Sequence, residues 1–143
     1  MGSLDLVRLA QKAADIRENV SVLTEYARRP DAEFLDNPEA VRSARYSFIV
    51  VIEAAVNVAA HICARILSRA PSSQRESFML LAQAGLLSET LALNLSKMAG
   101  FRNLLVHGYG EVDNAVMLAF MRHNLEDVED FLSCVQQLAG ESV

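Results

Sequence analysis

Four polar side chains that can bind or move charge lie within eight positions of one another: Arg102, Asn103, His107 and Tyr109. Histidine is the side chain best placed to transfer protons near neutral pH, and a neighbouring arginine can stabilise charge on a phosphate. On an ideal helix Asn103 and His107 lie about 40° apart, and Arg102 and His107 about 140° apart. The long arginine stem can reach toward the imidazole. A phosphate over the helix end could therefore meet both.

Each of these residues also has a structural interpretation. The apolar positions around them recur at spacings of four, three and seven, and they are Leu91, Leu95, Met98 and Leu105. Arg102 falls in this stripe, so its guanidinium lies at a groove edge or needs an anion or carboxylate as partner. His107 could be a helix-end histidine that bonds a carbonyl group. Tyr109 could be an amphipathic residue at the edge of the core.

A second set of polar residues lies in the longest apolar segment. Between positions 48 and 64 the only carboxylate, imidazole or amide side chains are Glu53, Asn57 and His61, each four residues from the next. This spacing places them on one helix face. They could satisfy one another inside a bundle or at a dimer seam. Alternatively, they could face the Arg102 and His107 cleft and orient its groups.

Helices are expected to carry all of these polar residues. Apolar residues recur with helical period, caps and breakers separate the segments, and no stretch alternates with period two. Ser73 to Glu76 match a capping box, and Gly85 is expected to end the helix that follows. The expected helices cover 4–28, 37–70, 73–85, 88–108 and a last segment from about 113, with a short turn at 31–35. The sequence thus predicts one all-α domain over 1–143, an up-and-down bundle of four to five helices.

Composition limits the function classes. Thirteen basic and eighteen acidic residues give a net charge of −5, which disfavours a general nucleic-acid binder but allows a narrow basic cleft. Cys63 and Cys134 are far apart, without zinc-ligand spacing, so we expect reduced thiols, no metal site and a cytoplasmic location. The nearly uncharged run 47–64 is interrupted by polar residues and is expected to be a buried helix, not a membrane span.

The pattern R-N-x-x-x-H-x-Y, here Arg102, Asn103, His107 and Tyr109, resembles the signature of HEPN domains, and most closely that of the HepT-type toxins. Further segments match in order along the chain, at 45–46, 52–55, 60–62, 72–76, 80–85 and 100–109. The ordered set is more specific than the short arginine-to-histidine spacing alone.

This resemblance implies an endoribonuclease that needs no metal or other cofactor, the toxin of a type VII toxin–antitoxin system. The RNA 2′-hydroxyl would attack the adjacent phosphorus, with His107 as base or acid, Arg102 on the non-bridging oxygens and Asn103 orienting the imidazole or phosphate. One motif histidine per chain suggests a composite site in a homodimer. The resemblance also implies that an MntA-type nucleotidyltransferase antitoxin silences the toxin by transferring AMP to Tyr109. Neither DNA nor a membrane is an expected partner.

Two other functions fit the residues. The same groove could hold a nucleotide in a non-catalytic regulatory subunit of a nucleotidyltransferase, with Tyr109 as the acceptor. The chain could also be a plain dimeric interaction bundle. Nucleotide binding without RNA cleavage would identify the first alternative, and the absence of both would identify the second.

Overall fold

The computed structural model describes residues 3–107 and 114–140. Within these ranges it contains seven helices and no strand: α1 (Leu6–Ala27), α2 (Asp31–Leu35), α3 (Pro38–Ile66), α4 (Gln74–Gln83), α5 (Glu89–His107), α6 (Asn114–His123) and α7 (Leu125–Leu138). The all-α prediction is confirmed. The predicted count of four to five helices is wrong, because the 31–35 turn is a short helix and the last segment is divided into two.

The start of α3 follows the sequence signals. The Asn37 side chain accepts hydrogen bonds from the backbone N–H groups of Glu39 and Ala40, at 3.1 and 3.2 Å, and Pro38 occupies the first turn. The helix ends at Ile66 instead of continuing to position 70. Just beyond it Ser68 adopts a left-handed conformation with φ of 54°, which turns the chain away before Pro71 is reached.

The α4 caps agree with the prediction in part. The Ser73 hydroxyl accepts a hydrogen bond from the Glu76 backbone N–H at 3.0 Å. The Glu76 carboxylate returns to the hydroxyl and N–H of Ser72 and not to Ser73, so the capping box is only half formed. At the other end Gly85 has φ of 78°, and the bond from the Leu86 N–H to the Leu81 carbonyl completes a Schellman motif.

The division between α6 and α7 occurs at Asn124, whose side-chain amide donates to the Asp127 carboxylate at 2.8 Å. Two residues earlier, in α6, Arg122 donates to the backbone carbonyls of Ala27 and Arg29 and pairs with the Asp31 carboxylate. These contacts tie the end of α6 to the α1–α2 junction. The apolar residues of α6 and α7 keep a nearly continuous helical spacing, and for this reason the break was not expected.

Helix α3 is the centre of the fold, and α1, α4 and α5 pack around it. It is also the one described helix long and apolar enough to cross a membrane, yet 61% of its most apolar window is buried inside the protein. This confirms the expectation of a buried helix. Both predicted free thiols are also confirmed, Cys63 in the core and Cys134 half-buried, and burial raises the pKa of each.

The direction of α5 against α3 determines where the polar motif lies. Ile62 of α3 and Leu87, just before α5, line the same small apolar crevice. At the other end the rings of Phe48 and Phe101 meet edge to face, with centroids 5.6 Å apart. The two helices are therefore antiparallel. The C-terminal end of α5, with the motif, lies beside the N-terminal half of α3.

Candidate active site

Arg102 lies on the buried side of α5, and its side chain is 14% exposed. Its guanidinium contacts the Glu53 carboxylate of α3 through Nη2 and donates from Nη1 to the Asn103 side-chain oxygen at 3.0 Å. Its Nε is buried and has no hydrogen-bond partner among the described residues. An arginine in an apolar stripe was expected to need a partner, and the structure shows that the partner is a carboxylate.

The Arg102–Glu53 ion pair orients the guanidinium but adds little to the stability of the fold. The Glu53 side chain is 50% exposed, and an ion pair with one accessible member adds only about 0–1 kcal/mol to stability. Two contacts, to Glu53 and to Asn103, restrict the planar guanidinium. A guanidinium has five N–H donors, so donors remain for an incoming anion after both contacts are made.

Asn103 and His107 complete the described part of the motif, and both are exposed. His107 is the last residue of α5, so its imidazole stands at the helix end, where a ligand can reach it. The Asn103 amide oxygen accepts from Arg102, so in this structure it orients the guanidinium. The predicted AMP acceptor Tyr109, and Gly108 before it, lie outside the described residues.

The predicted polar face of α3 is present, but its three members bind three different groups. Glu53 contacts Arg102. The Asn57 side-chain oxygen accepts from Arg8 of α1 at 2.7 Å, and His61 Nε2 accepts from the Asp5 backbone N–H at 3.0 Å. The interpretation in which the members satisfy one another is therefore wrong. Each four-residue step rotates the position by about 40°, which carries the face from α5 round to α1.

Only Glu53 lies beside the motif. Asn57 and His61 instead hold the N-terminal end of the chain, together with Arg65, which donates to the Ser3 carbonyl at 2.8 Å. His61 is 6% exposed. Burial lowers its pKa, the cations Arg65 and Arg8 lower it further, and Asp5 opposes them. The hydrogen bond from Asp5 requires the neutral imidazole, because an imidazolium has no free acceptor.

Arg45, in the N-terminal half of α3, is a further cation for which the sequence predicted no site role. Its Nη2 donates to the Asn114 side-chain oxygen at 3.2 Å, at the start of α6, and its Nε is buried without a partner among the described residues. Arg45 lies eight residues before Glu53, in the same series of four-residue steps. Extending the pattern of Glu53, Asn57 and His61 backwards could have found it.

Two surface grooves of the described structure lie away from the motif. These adjoining grooves of about 330 and 340 Å³ lie where α1 meets α6 and α7, and they share Thr24, Arg28 and Glu129. None of the predicted site residues that the structure describes lines either groove. The described part of the site is an exposed helix end with an anchored arginine.

Two matches to known sequences agree with each other. Residues 16–135 match the family model described as ribonuclease HepT-like. The chain is also 39% identical over 84 residues to the mRNA nuclease HepT of Shewanella oneidensis, an alignment that covers 59% of this chain and 63% of that protein. The matched stretch is thus less than two thirds of that relative's length. The resemblance inferred from the motif is confirmed.

Solved structures show the same fold. A tri-AMPylated HEPN toxin of Shewanella oneidensis, solved in complex with an MNT antitoxin, superposes with a TM-score of 0.83 at 30% identity, covering 91% of this chain and 97% of that one. A cytosolic protein of unknown function from Bacillus subtilis, YutE, gives a TM-score of 0.83 at 14% identity, over 96% of this chain and 92% of that one. At that identity the second similarity concerns the fold alone.

Proposed function

Because this chain belongs to the ribonuclease HepT-like family, we propose that it is a metal-independent RNA endonuclease and the toxin of a type VII toxin–antitoxin system. The observation that carries the proposal is the state of Arg102, which is held by Glu53 and Asn103 on the helix whose last residue is the exposed His107. A restrained cation and an accessible imidazole five residues apart on one helix are the minimum equipment for cleaving a phosphodiester through its own 2′-hydroxyl.

In the proposed reaction the 2′-oxygen attacks the adjacent phosphorus and the bond from phosphorus to the 5′-oxygen breaks. One group takes the proton of the 2′-hydroxyl, and another gives a proton to the leaving 5′-oxygen. His107 performs one of these transfers. The products are a 2′,3′-cyclic phosphate and a 5′-hydroxyl.

The remaining donors of Arg102 hold the non-bridging oxygens as negative charge grows on them. Asn103 and Glu53 are positioning residues, since both act through the guanidinium. Fixing this planar group in advance lowers the entropic cost of aligning it with the phosphate. The acidic partner restrains Arg102 without using all of its donors.

The second proton transfer requires another group, and we propose that a second copy of the chain supplies it. A two-fold homodimer that joins the C-terminal ends of the two α5 helices would bring two copies of His107 to one composite site. It would also pool the few cations of a chain whose net charge is −5.

We further propose that a nucleotidyltransferase antitoxin silences the enzyme in the cytoplasm by transferring AMP to Tyr109. The AMPylated state of the Shewanella toxin, and its complex with an MNT antitoxin, support this proposal. Tyr109 follows His107 by two residues, so negatively charged AMP at this position would compete with RNA phosphates for Arg102.

The decisive experiment incubates the purified protein with end-labelled RNA in EDTA, beside His107→Ala and Arg102→Ala variants matched in helicity and oligomeric state. His123→Ala, which removes another exposed histidine, is the control. We expect cyclic-phosphate ends from the wild type and the control, and a loss of at least about 100-fold in the two site variants. Intact mass must first show that the protein carries no AMP.

Uncut RNA from unmodified wild-type protein would refute the nuclease. Calorimetric binding of a nucleotide would then favour the regulatory-subunit alternative. For the acceptor, the protein is incubated with an MntA-type enzyme and ATP and compared with Tyr109→Phe and, as a control, Tyr26→Phe. AMP that persists on Tyr109→Phe would show that another residue is modified.

A further inference from the structure

An exposed tyrosine lies on α3 close to the proposed active site. The Tyr46 side chain is 68% exposed, although Ser47 and Phe48, which follow it, are buried. Arg42, one helical turn earlier, is exposed as well. On an ideal helix Arg42, Tyr46 and Glu53 fall within a sector of about 40°. Tyr46 and Arg42 are therefore on the side of α3 from which Glu53 reaches Arg102.

Because α3 and α5 pack antiparallel, the position of Tyr46 along the α3 axis can be compared with positions along α5. Starting from the ring contact between Phe48 and Phe101, Tyr46 lies two residues further toward the N-terminus of α3, or about 3 Å. In the same direction along α5, His107 lies six residues beyond Phe101, or about 9 Å. Tyr46 and Arg42, the latter about 9 Å from Phe48, thus flank the segment of α5 between Arg102 and His107.

An accessible apolar residue of α5 lies at the same level. Val106 follows Arg102 by four residues, which places it on the same side of the helix, and it is 43% exposed. We call Arg42, Tyr46 and Val106 together the Tyr46 shelf. It offers one aromatic ring, one aliphatic side chain and one exposed cation at the level of the α5 segment from Arg102 to His107.

We infer that the Tyr46 shelf binds an unpaired nucleotide adjacent to the scissile phosphate of RNA, an inference that rests on the nuclease function proposed above. Tyr46 stacks on the base and Arg42 holds a neighbouring phosphate. Every base has a π-face, so stacking on a tyrosine binds single-stranded RNA with little sequence preference. A base inside a duplex is already stacked and cannot lie on the shelf.

The charges around the shelf favour a phosphate-bearing occupant. Among the described residues, Arg42 lies on this side of α3 and Arg102 on the facing part of α5, on a chain whose net charge is −5. Glu39 lies one turn before Arg42, on the side away from Arg102, and Glu53 is occupied by Arg102. A strand crossing from Arg102 to Arg42 would therefore meet a cation at each end and an aromatic ring between them.

The test measures RNA binding in the His107→Ala background, where the RNA stays intact. Fluorescence anisotropy with a labelled single-stranded RNA compares this protein with versions that also carry Tyr46→Ala, Tyr46→Phe or Arg42→Gln. Arg75→Gln on α4, at the opposite end of α3, is the charge-matched control. We expect Tyr46→Ala to weaken binding about ten-fold and Tyr46→Phe to change it less than about two-fold. A fully paired duplex should bind equally well to all Tyr46 versions.

The salt dependence of the same titrations tests Arg42. Loss of one phosphate contact should reduce the slope of log affinity against log salt by about one in Arg42→Gln and leave it unchanged in Arg75→Gln. Equal affinities for Tyr46→Ala and Tyr46→Phe would overturn the inference. So would a loss of the dimer in Tyr46→Ala, measured by light scattering, since Tyr46 would then be a contact with the second copy.

The binding and cleavage measurements test the shelf and the nuclease separately. RNA cleavage by the wild type together with binding that ignores Tyr46 refutes the shelf and leaves the nuclease. Tyr46-dependent binding together with a wild type that cuts no RNA refutes the nuclease and leaves a single-strand-binding surface.

Discussion

The polar face of α3 serves two different environments. Glu53 is half-exposed and holds Arg102 beside the end of α5, whereas His61, eight residues later, is 6% exposed and accepts a hydrogen bond from Asp5. The two residues belong to one series with one spacing. At the Glu53 end, polar groups remain accessible to a ligand. At the His61 end, they are used to hold the start of α1, so exposure distinguishes the two roles and residue type does not.

The largest effect is expected at the buried end. His61→Ala removes the acceptor of the Asp5 N–H and leaves a gap beneath α1, so we expect a loss of roughly 2 kcal/mol in the free energy of unfolding. Urea denaturation measures this loss. The cleavage rate, measured where the variant is fully folded, should stay within about two-fold. A rate as low as that of Arg102→Ala would place His61 with the site and remove the contrast.

Glu53→Gln should lower the cleavage rate and leave the stability nearly unchanged, the reverse of His61→Ala. The amide keeps the shape of the carboxylate but loses its charge, so Arg102 is less restrained and kcat should fall about ten-fold, which corresponds to about 1.4 kcal/mol. Stability should change by less than about 1 kcal/mol, because Glu53 is half-exposed. Glu129→Gln on the exposed side of α7 is the control. A stability loss at an unchanged rate would make Glu53 a structural residue like His61.

The pH dependence of stability should follow the His61 end. Burial lowers the pKa of His61, so the unfolded chain takes up this proton first on acidification. The contribution is fully present above pH 6.5, the ordinary value, and is lost as the pH falls from there through the folded pKa. The effect should be smaller than that of His61→Ala, since the protonated ring still fills its space. Urea denaturation at several pH values measures this effect. Below pH 6.5 the free energy of unfolding of the wild type should fall with pH more steeply than that of His61→Gln.

The smallest effect is expected for Arg8→Ala. The bond from Arg8 to Asn57 is exposed, so its loss should cost less than about 0.5 kcal/mol, and RNA cleavage should not change. Arg8 and Arg102 both pair with a member of the same polar face. Parallel cleavage assays of Arg8→Ala and Arg102→Ala therefore compare the two ends directly, and equal losses of rate would contradict the distinction between them.

Local sequence signals predicted most of the fold. Asn37 and Ser73 mark helix starts and Gly85 marks an end, because each acts on backbone groups a few residues away. The break at Asn124 was missed, since what holds α6 in place is the set of contacts from Arg122 to a junction more than ninety residues earlier. Such a contact depends on the fold and has no signature within a sequence window.

The site shows the same limit. The position of Arg102 in an apolar stripe predicted that it needs a partner, since an unpaired guanidinium is costly to bury. The identity of that partner, Glu53, depends on how α3 and α5 pack. The polar face of α3 was predicted from spacing, yet spacing could not show that the helix turns its members toward different neighbours. The role of Tyr109 remains a prediction from the motif.

The rings of Phe48, Phe101 and Phe120 join α3, α5 and α6, with centroids 5.3 to 6.0 Å apart. Phe101 is the residue next to Arg102, so the aromatic cluster anchors the turn of α5 that carries this arginine. Selection for stability and selection for the proposed nuclease activity would therefore act on neighbouring residues of one helix. Small changes in ring size would offer a graded way to weaken the proposed toxin that leaves every charged residue in place.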